Sequence, residues 1–244
     1  MTILAIESAT AVCEAAVIRD GIPAGSARVI APHVHSEKLI PLIDEALRMA
    51  RLSLGDLDGI AVSIGPGSFT GLRIGLSVAK GLVFASGKPL IPVSTLRALA
   101  MQAIRQSPAG PGELILSVID ARRSEVYAAA YRSAGGAVEE LLSPRAVHVH
   151  ELAAALPPEG KVIVMGDGAG KFAEHLAVNG GASGATNRFF ITPPDQRMCS
   201  ALAVGLLGAL DLAAGGAADP ATLEPVYVKD FHSLVSTRNV EAAS

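Results

Sequence analysis

The sequence predicts an α/β protein that contains two copies of one subdomain. Apolar runs with strand character alternate with helical patterns along most of the chain, as in folds that layer helices on sheets. The opening unit "ILAIESATAVCEAAVI" (3–18) recurs as "LILSVIDARRSEVYAAAY" (114–131), with Asp120 in the position of Glu7. Between the two units, "QSPAGPGE" (106–113) interrupts the periodicity. The recurrence favours a duplication, and two unrelated hairpins are the alternative interpretation.

The individual elements follow from local patterns. Apolar or alternating runs predict strands at "ILAI" (3–6), "VCEAAVI" (12–18), "LDGIAVSIG" (57–65), "PLIPVS" (89–94) and the start of "KVIVMGDGAGK" (161–171). Helical periodicity predicts helices over about 36–51, 70–85, 95–106 and 198–214. A final extended segment is predicted at "EPVYVKDF" (224–231). We therefore predict subdomains at 1–106 and 107–232, and a loose polar tail at 233–244.

Composition narrows the class of protein. The chain has 244 residues, of which 50% are hydrophobic, so a sizeable core can form. A net charge of −3 offers no basic face for unaided binding to nucleic acid. Two isolated cysteines, Cys13 and Cys199, suggest a reducing compartment. With no signal-like N-terminus and no long apolar run, the sequence predicts a cytoplasmic protein without a membrane span.

The stretch "GPGSFTGLRIG" (65–75) looks like a phosphate-binding loop but lacks its chemistry. A Walker-type loop places lysine directly after the last glycine, and this chain has Leu72 there. We interpret the stretch as a turn from a strand into a helix, with Ser68 or Thr70 available to cap the helix.

Three other features are candidates for chemistry. Glu7 ends the first strand, where a carboxylate could bind a metal–nucleotide complex, but Ser8 and Ala9 follow where glycine would be expected, which favours a capping or turn role. The loop "VMGDGAGK" (164–171) is either a nucleotide loop or a tight connection from strand to helix. The pairs His33/His35 and His148/His150 have no third ligand at a recognised spacing, so we expect no metal.

The first two long helices are more apolar than a surface helix requires. In 70–85 the polar stripe is thin, and Gly71, Gly75 and Ala79 form a smooth ridge that would allow another helix to pack closely. This pattern predicts a protein interface, unless the sheet and the neighbouring subdomain bury both faces.

Several of these stretches together resemble the TsaB (YeaZ) family. They are "LAIESAT", "HSEKLIPLID", "GPGSFTGLRIGLSVAKGLVFASGKPLIPVSTLRALA", "DARRSEVY" and "EPVYVKDF". The resemblance implies two actin-like/Hsp70-like ATPase (ASKHA) subdomains. It also implies a role in forming N6-threonylcarbamoyladenosine next to the tRNA anticodon, as a partner of TsaD and TsaE and as a homodimer. The family's pattern implies no cofactor, and contact with tRNA only through the complex.

The resemblance also indicates what this chain lacks and which surface it uses. TsaD-like proteins carry a metal-binding H-x-x-x-H where this chain has Thr95 and Leu99, so the family comparison implies a non-catalytic subunit. It further implies that the first two long helices bind TsaD, with the following candidate contacts: Leu39, Ile43, Ala46, Leu47, Gly75, Leu76, Ala79 and Val83. The alternative is a free-standing ATPase or sugar-kinase-like phosphotransferase that uses Glu7, Asp120 and the 166–171 loop.

Overall fold

The computed structural model describes residues 1–106, 110, 112–179 and 185–228. The predicted tail at 233–244, half of the Pro/Gly-rich break (107–109 and 111) and the last residues of "EPVYVKDF" lie outside the described residues.

Within the part of the chain that the structure describes, the first sheet has five strands in the order β3-β2-β1-β4-β5. Its members are β1 (Thr2–Glu7), β2 (Val12–Arg19), β3 (Ile22–Ile30), β4 (Gly59–Gly65) and β5 (Leu90–Ser94). Strands β1, β2 and β3 pair antiparallel through short turns, whereas β1, β4 and β5 pair parallel. The parallel pairs need crossover connections, and helices supply them.

The second sheet repeats this arrangement, with the order β10-β9-β6-β7-β8. Its members are β6 (Leu114–Asp120), β7 (Glu125–Ala134), β8 (Ala137–His148), β9 (Val162–Met165) and β10 (Phe189–Ile191). Again the first three strands are antiparallel and the other pairs are parallel. Each strand therefore has a counterpart five strands later, and Asp120 at the end of β6 corresponds to Glu7 at the end of β1. The predicted duplication is confirmed.

The described residues form five α-helices, of which the first four connect strands and the fifth follows β10: α1 (His35–Ala50), α2 (Phe69–Ser86), α3 (Thr95–Gln106), α4 (Ala169–Asn179) and α5 (Ala201–Ala213). Single turns of 3₁₀-helix lie at Leu54–Asp56, Val149–Glu151 and Ala185–Arg188. The three helices predicted in the first half agree with α1, α2 and α3 to within one residue at each end. Helix α1 continues through the exposed Pro41.

The described core consists of three apolar clusters, which lie on the two faces of each sheet, with the middle cluster shared between the sheets. Helices α1 and α2 cover one face of the first sheet, and α4 covers the outer face of the second sheet. Between the two sheets lie α3 and α5, which pack against each other. Helix α3 follows the first sheet in the chain but packs on the second, and α5 follows the second sheet but packs on the first. The subdomain boundary at 106/107 stays a prediction. Because α3 and α5 each pack on the sheet of the other predicted subdomain, they hold the two subdomains together.

Candidate functional site

Helix α2 begins at the turn that the glycine-rich stretch was predicted to form. Ser68 precedes the helix in an extended conformation, and its Oγ accepts a hydrogen bond from the Gly71 N–H at 3.3 Å. Ser68 is therefore the capping residue, because its hydroxyl satisfies one of the otherwise unpaired N–H groups of the first turn. At the other end, Gly87 closes the helix with φ +68°.

The glycines of this stretch allow α2 to press against the end of β1. A Cβ on Gly67 would lie 2.2 Å from the carbonyl oxygen of Ala9, and one on Gly71 would lie 2.1 Å from that of Ser8. A Cβ on Gly75 would lie 2.0 Å from the Ser8 Oγ. The ridge of small residues therefore packs on the protein's own sheet, and the expectation that it receives another helix is corrected.

The candidate contact residues on α1 and α2 are also buried. Each of them lies against the first sheet or in the cluster that joins α1 and α2 to it: Leu39, Ile43, Ala46, Leu47, Gly75, Leu76, Ala79 and Val83. Helical periodicity identifies the apolar side of a helix but not what covers it, and here the sheet covers it. The role of these helices and of these residues in binding a partner stays a prediction, and the side chains that α1 and α2 leave exposed are different ones.

The exposed side of α2 carries Arg73, Ser77 and Phe84, which we call the α2 face. The Phe84 side chain is 94% exposed, and on the neighbouring α1 Ile40 is 57% exposed. Among the described helices, α2 is the one whose length and composition alone would suit a membrane span, with only 33% of its residues buried. An apolar helix with a fully exposed phenylalanine is typical of a surface that another molecule covers.

A cleft of about 670 Å³ opens between the two subdomains beside the start of α2. The first subdomain contributes Thr10, His33 and Thr70, and the second contributes Asp120 and Arg122. Arg122 and Arg123 occupy the turn between β6 and β7 with positive φ, at 68° and 52°. His35 also lines the cleft, and its Nε2 lies 3.1 Å from the carbonyl oxygen of Val12.

The loop after β9 forms its contacts with residues of its own subdomain. The Lys171 Nζ lies 2.5 Å from Asp120 Oδ1 and donates to the Arg123 carbonyl at 2.8 Å. The Asp167 carboxylate accepts the Asp120 N–H at 2.9 Å, and burial raises the pKa of Asp167. A Cβ on Gly166 would lie 2.0 Å from the Val118 carbonyl oxygen. The loop is thus a tight connection from strand to helix, packed on β6 much as α2 packs on β1.

Glu7 is fully buried and does not line the cleft. Its Oε1 accepts the Ala9 N–H at 2.7 Å, which is the turn role that the sequence favoured. Burial raises its pKa to about 7, although hydrogen bonds from Ala9, Cys199 and Ser63 act in the opposite direction. Binding of a nucleotide by Glu7 stays untested, and it would require the carboxylate to leave this interior position.

The described residues contain no group of three or more His, Cys, Asp or Glu side chains that could hold a metal ion. Thr95 and Leu99 are both buried in α3. The rings of His148 and His150 stack at a centroid distance of 5.4 Å, on the edge strand β8 and the turn that follows it.

Comparison with known proteins gives consistent results. The family model described as TsaD, tRNA N6-adenosine threonylcarbamoyltransferase, matches residues 27–213. The Escherichia coli tRNA threonylcarbamoyladenosine biosynthesis protein TsaB is 38% identical over 154 residues, which cover 61% of this chain and 65% of that relative. The chain thus spans slightly less than two thirds of that relative's length.

Solved structures show the same fold. YeaZ from Pseudomonas aeruginosa superposes with a TM-score of 0.76 at 26% identity, over 93% of this chain and 99% of that one. The ROK hexokinase from Thermus thermophilus, at 15% identity, superposes with a TM-score of 0.53 over 88% of this chain and all of that one. The second likeness concerns the fold alone, which is the actin-like ATPase fold, so the predicted fold class is confirmed.

Proposed function

Because the chain belongs to the TsaB/YeaZ family and the TsaD family model matches most of it, we propose that it is a non-catalytic subunit in the synthesis of N6-threonylcarbamoyladenosine. In this proposal it binds TsaD and supports transfer of the threonylcarbamoyl group to the adenosine next to the tRNA anticodon. TsaE joins the two proteins, and the complex contacts the tRNA in the cytoplasm. The net charge of −3 agrees with a protein that does not bind tRNA unaided.

The observation that carries the non-catalytic assignment is that α3 has no histidine at the two positions where TsaD-like proteins bind a metal. The resemblance to TsaD-like proteins places two metal-binding histidines where this chain has Thr95 and Leu99, and both side chains are buried in the core between the sheets. A threonine hydroxyl and a leucine cannot replace imidazole as ligands of a transition metal.

We propose that TsaD binds at the α2 face, and that the homodimer uses the same surface. Support comes from Phe84, whose almost complete exposure leaves a large apolar side chain in water. Burying such a ring in a partner stabilises a complex by roughly 1.5–3 kcal/mol.

The second candidate is a phosphotransferase that uses the cleft. The volume of about 670 Å³ and the acidic side chains of Asp120 and Asp167 favour it. However, the Asp120 carboxylate is already paired with Lys171. In addition, a Cβ on Gly71 at the end of β1, or on Gly166 beside the end of β6, would meet a backbone carbonyl oxygen rather than open space. Titration of the protein with Mg²⁺–ATP by calorimetry separates the two candidates, because stoichiometric binding and turnover would support the phosphotransferase.

Size-exclusion chromatography with light scattering, on a mixture with the cognate TsaD, tests the proposed function directly. We expect a one-to-one complex that Phe84→Asp disrupts. Val178→Asp is the matched control, because Val178 is 82% exposed on α4 in the other subdomain. If the folded wild-type proteins form no complex, the proposed function is wrong. If Phe84→Asp binds TsaD as the control does, the α2 face is not the binding surface.

A further inference from the structure

The segment that follows α5, residues 216–228, returns across the first sheet, and we call it the C-terminal strap. The Ala218 N–H donates to the Leu90 carbonyl at 2.9 Å, so the strap pairs with the edge strand β5. Leu223 packs on the core beneath α1 and α2. The Val226 N–H donates to the Ile64 carbonyl at 2.7 Å. These contacts bring the end of the strap to the first turn of α2.

The strap and α2 fit closely where they meet. At Gly65, φ is +120°, and a Cβ would lie 2.5 Å from the Val226 carbonyl oxygen. Only glycine adopts this backbone conformation without strain, and only glycine leaves room for the strap. The hydrogen bond from Val226 to Ile64 and the close packing of Val226 on Gly65 therefore fix the position of the next residue, Tyr227.

Tyr227 completes a cluster with two side chains of α2. Its ring centroid lies 5.2 Å from that of Phe69, and its hydroxyl accepts a hydrogen bond from the Arg73 Nε at 3.0 Å. The Arg73 guanidinium carbon lies 4.0 Å from the centroid of the Phe69 ring. We call these three residues the strap cluster. Arg73 is exposed and Tyr227 is 38% exposed, so the cluster lies at the surface.

The strap cluster is continuous with the α2 face. At about 100° per residue, Ser77 and Phe84 point within about 40° of the direction of Arg73, so one stripe runs from the cluster along the helix. Tyrosine and arginine are enriched among the residues that dominate binding energy at protein interfaces. A long arginine side chain that is already ordered also loses less conformational entropy when a partner binds it.

We propose that the strap cluster forms part of the TsaD-binding surface, and that Tyr227 is a positioning residue that orients Arg73 toward a carboxylate or carbonyl of TsaD. This inference rests on the proposed function and extends the docking surface from α2 to the C-terminal strap. Tyr227 holds the Nε and the guanidinium lies against Phe69, so the side chain is ordered, and the two terminal nitrogens are the remaining donors of this exposed residue. Such a fork suits a carboxylate.

The test is a double-mutant cycle on the affinity for TsaD, measured by calorimetry with Tyr227→Phe, Arg73→Ala and the double variant. Tyr227→Phe keeps the ring and removes only the hydroxyl. We expect it to weaken binding about fivefold, and Arg73→Ala to weaken binding about 10- to 100-fold, as for a hydrogen bond to a charged group. The double variant should bind no more weakly than Arg73→Ala, because Tyr227 acts through Arg73.

Controls separate this inference from the proposed function. Arg105→Ala removes an exposed arginine at the end of α3 and should leave the affinity unchanged. Thermal melts should coincide for all variants, and the effect of Arg73→Ala should shrink at high salt, which a merely structural role would not produce. Failure of the wild type to bind TsaD would overturn the proposed function. Two results would overturn this inference while leaving the proposed function intact. In the first, the wild type binds TsaD and Tyr227→Phe binds equally well. In the second, the losses of the two single variants add in the double variant.

Discussion

Replacing Glu7 by glutamine should change how stability depends on pH. The Glu7 carboxyl group is fully buried among β1, β2 and the segment before α5. It accepts the Ala9 N–H, the Cys199 thiol donates to it, and the Glu14 carboxylate lies close enough to disfavour its ionisation. Burial is the largest effect and raises its pKa from 4.5 to about 7. Glutamine is the neutral side chain closest in shape to the protonated acid.

The magnitude follows from linkage between proton binding and folding. Between pH 4.5 and about 7 the folded protein retains a proton that the unfolded chain has lost, so stability falls as pH rises. Glu7 therefore contributes stability that is fully present below pH 4.5 and is lost as pH rises through about 7. The slope is about 1.4 kcal/mol per pH unit, which amounts to roughly 3 kcal/mol across this window.

Urea unfolding at several pH values between 5 and 8 measures this effect. We expect the free energy of unfolding of Glu7→Gln, relative to wild type, to increase with pH by about 2–3 kcal/mol and then level off above pH 7. Buried acids that are not coupled to Glu7, such as Asp167 in the second subdomain, cancel in this difference. Glu45→Gln is the control, because this exposed acid pairs with Arg48 and its pKa is lowered, so its curve should parallel the wild type over this range. Parallel curves for Glu7→Gln and wild type would refute the reasoning.

Two further predictions concern α1 and α2. Gly71→Ala should lower the free energy of unfolding by about 1–3 kcal/mol, because its Cβ would meet the Ser8 carbonyl at 2.1 Å, whereas Gly81→Ala, which has open space, should raise it by about 0.5–1 kcal/mol. Urea titration of both variants checks the pair, and equal effects would contradict the packing argument. Leu47→Asp should unfold the protein rather than only separate a dimer, because Leu47 is 8% exposed in the core and an unpaired buried charge costs several kcal/mol. Circular dichroism decides this, and a folded, monomeric Leu47→Asp would restore Leu47 as an interface residue.

Local signals account for the parts of the fold that could be predicted. Helix α2 begins and ends as expected because Ser68 and Gly87 act within one turn of its ends. The duplication was visible because each copy carries its own strand, acid and turn. Strands β3 and β8 were missed, since both are edge strands with mixed, half-exposed side chains and no strong alternation.

The sequence by itself determined the α/β class, the repeat, the helix ends, the absence of a Walker-type lysine and the family resemblance. These properties depend on residue type and on spacing along the chain. Only the tertiary structure decided which side chains are covered and by what. The ridge of small residues on α2 faces β1, and Glu7 is buried away from the cleft. Helix α3 packs on the second sheet and α5 packs on the first. The tertiary structure also brought Tyr227 to Arg73, a contact between residues 154 positions apart. Periodicity shows that a surface will be buried, but its partner depends on packing between distant segments, which no local pattern encodes.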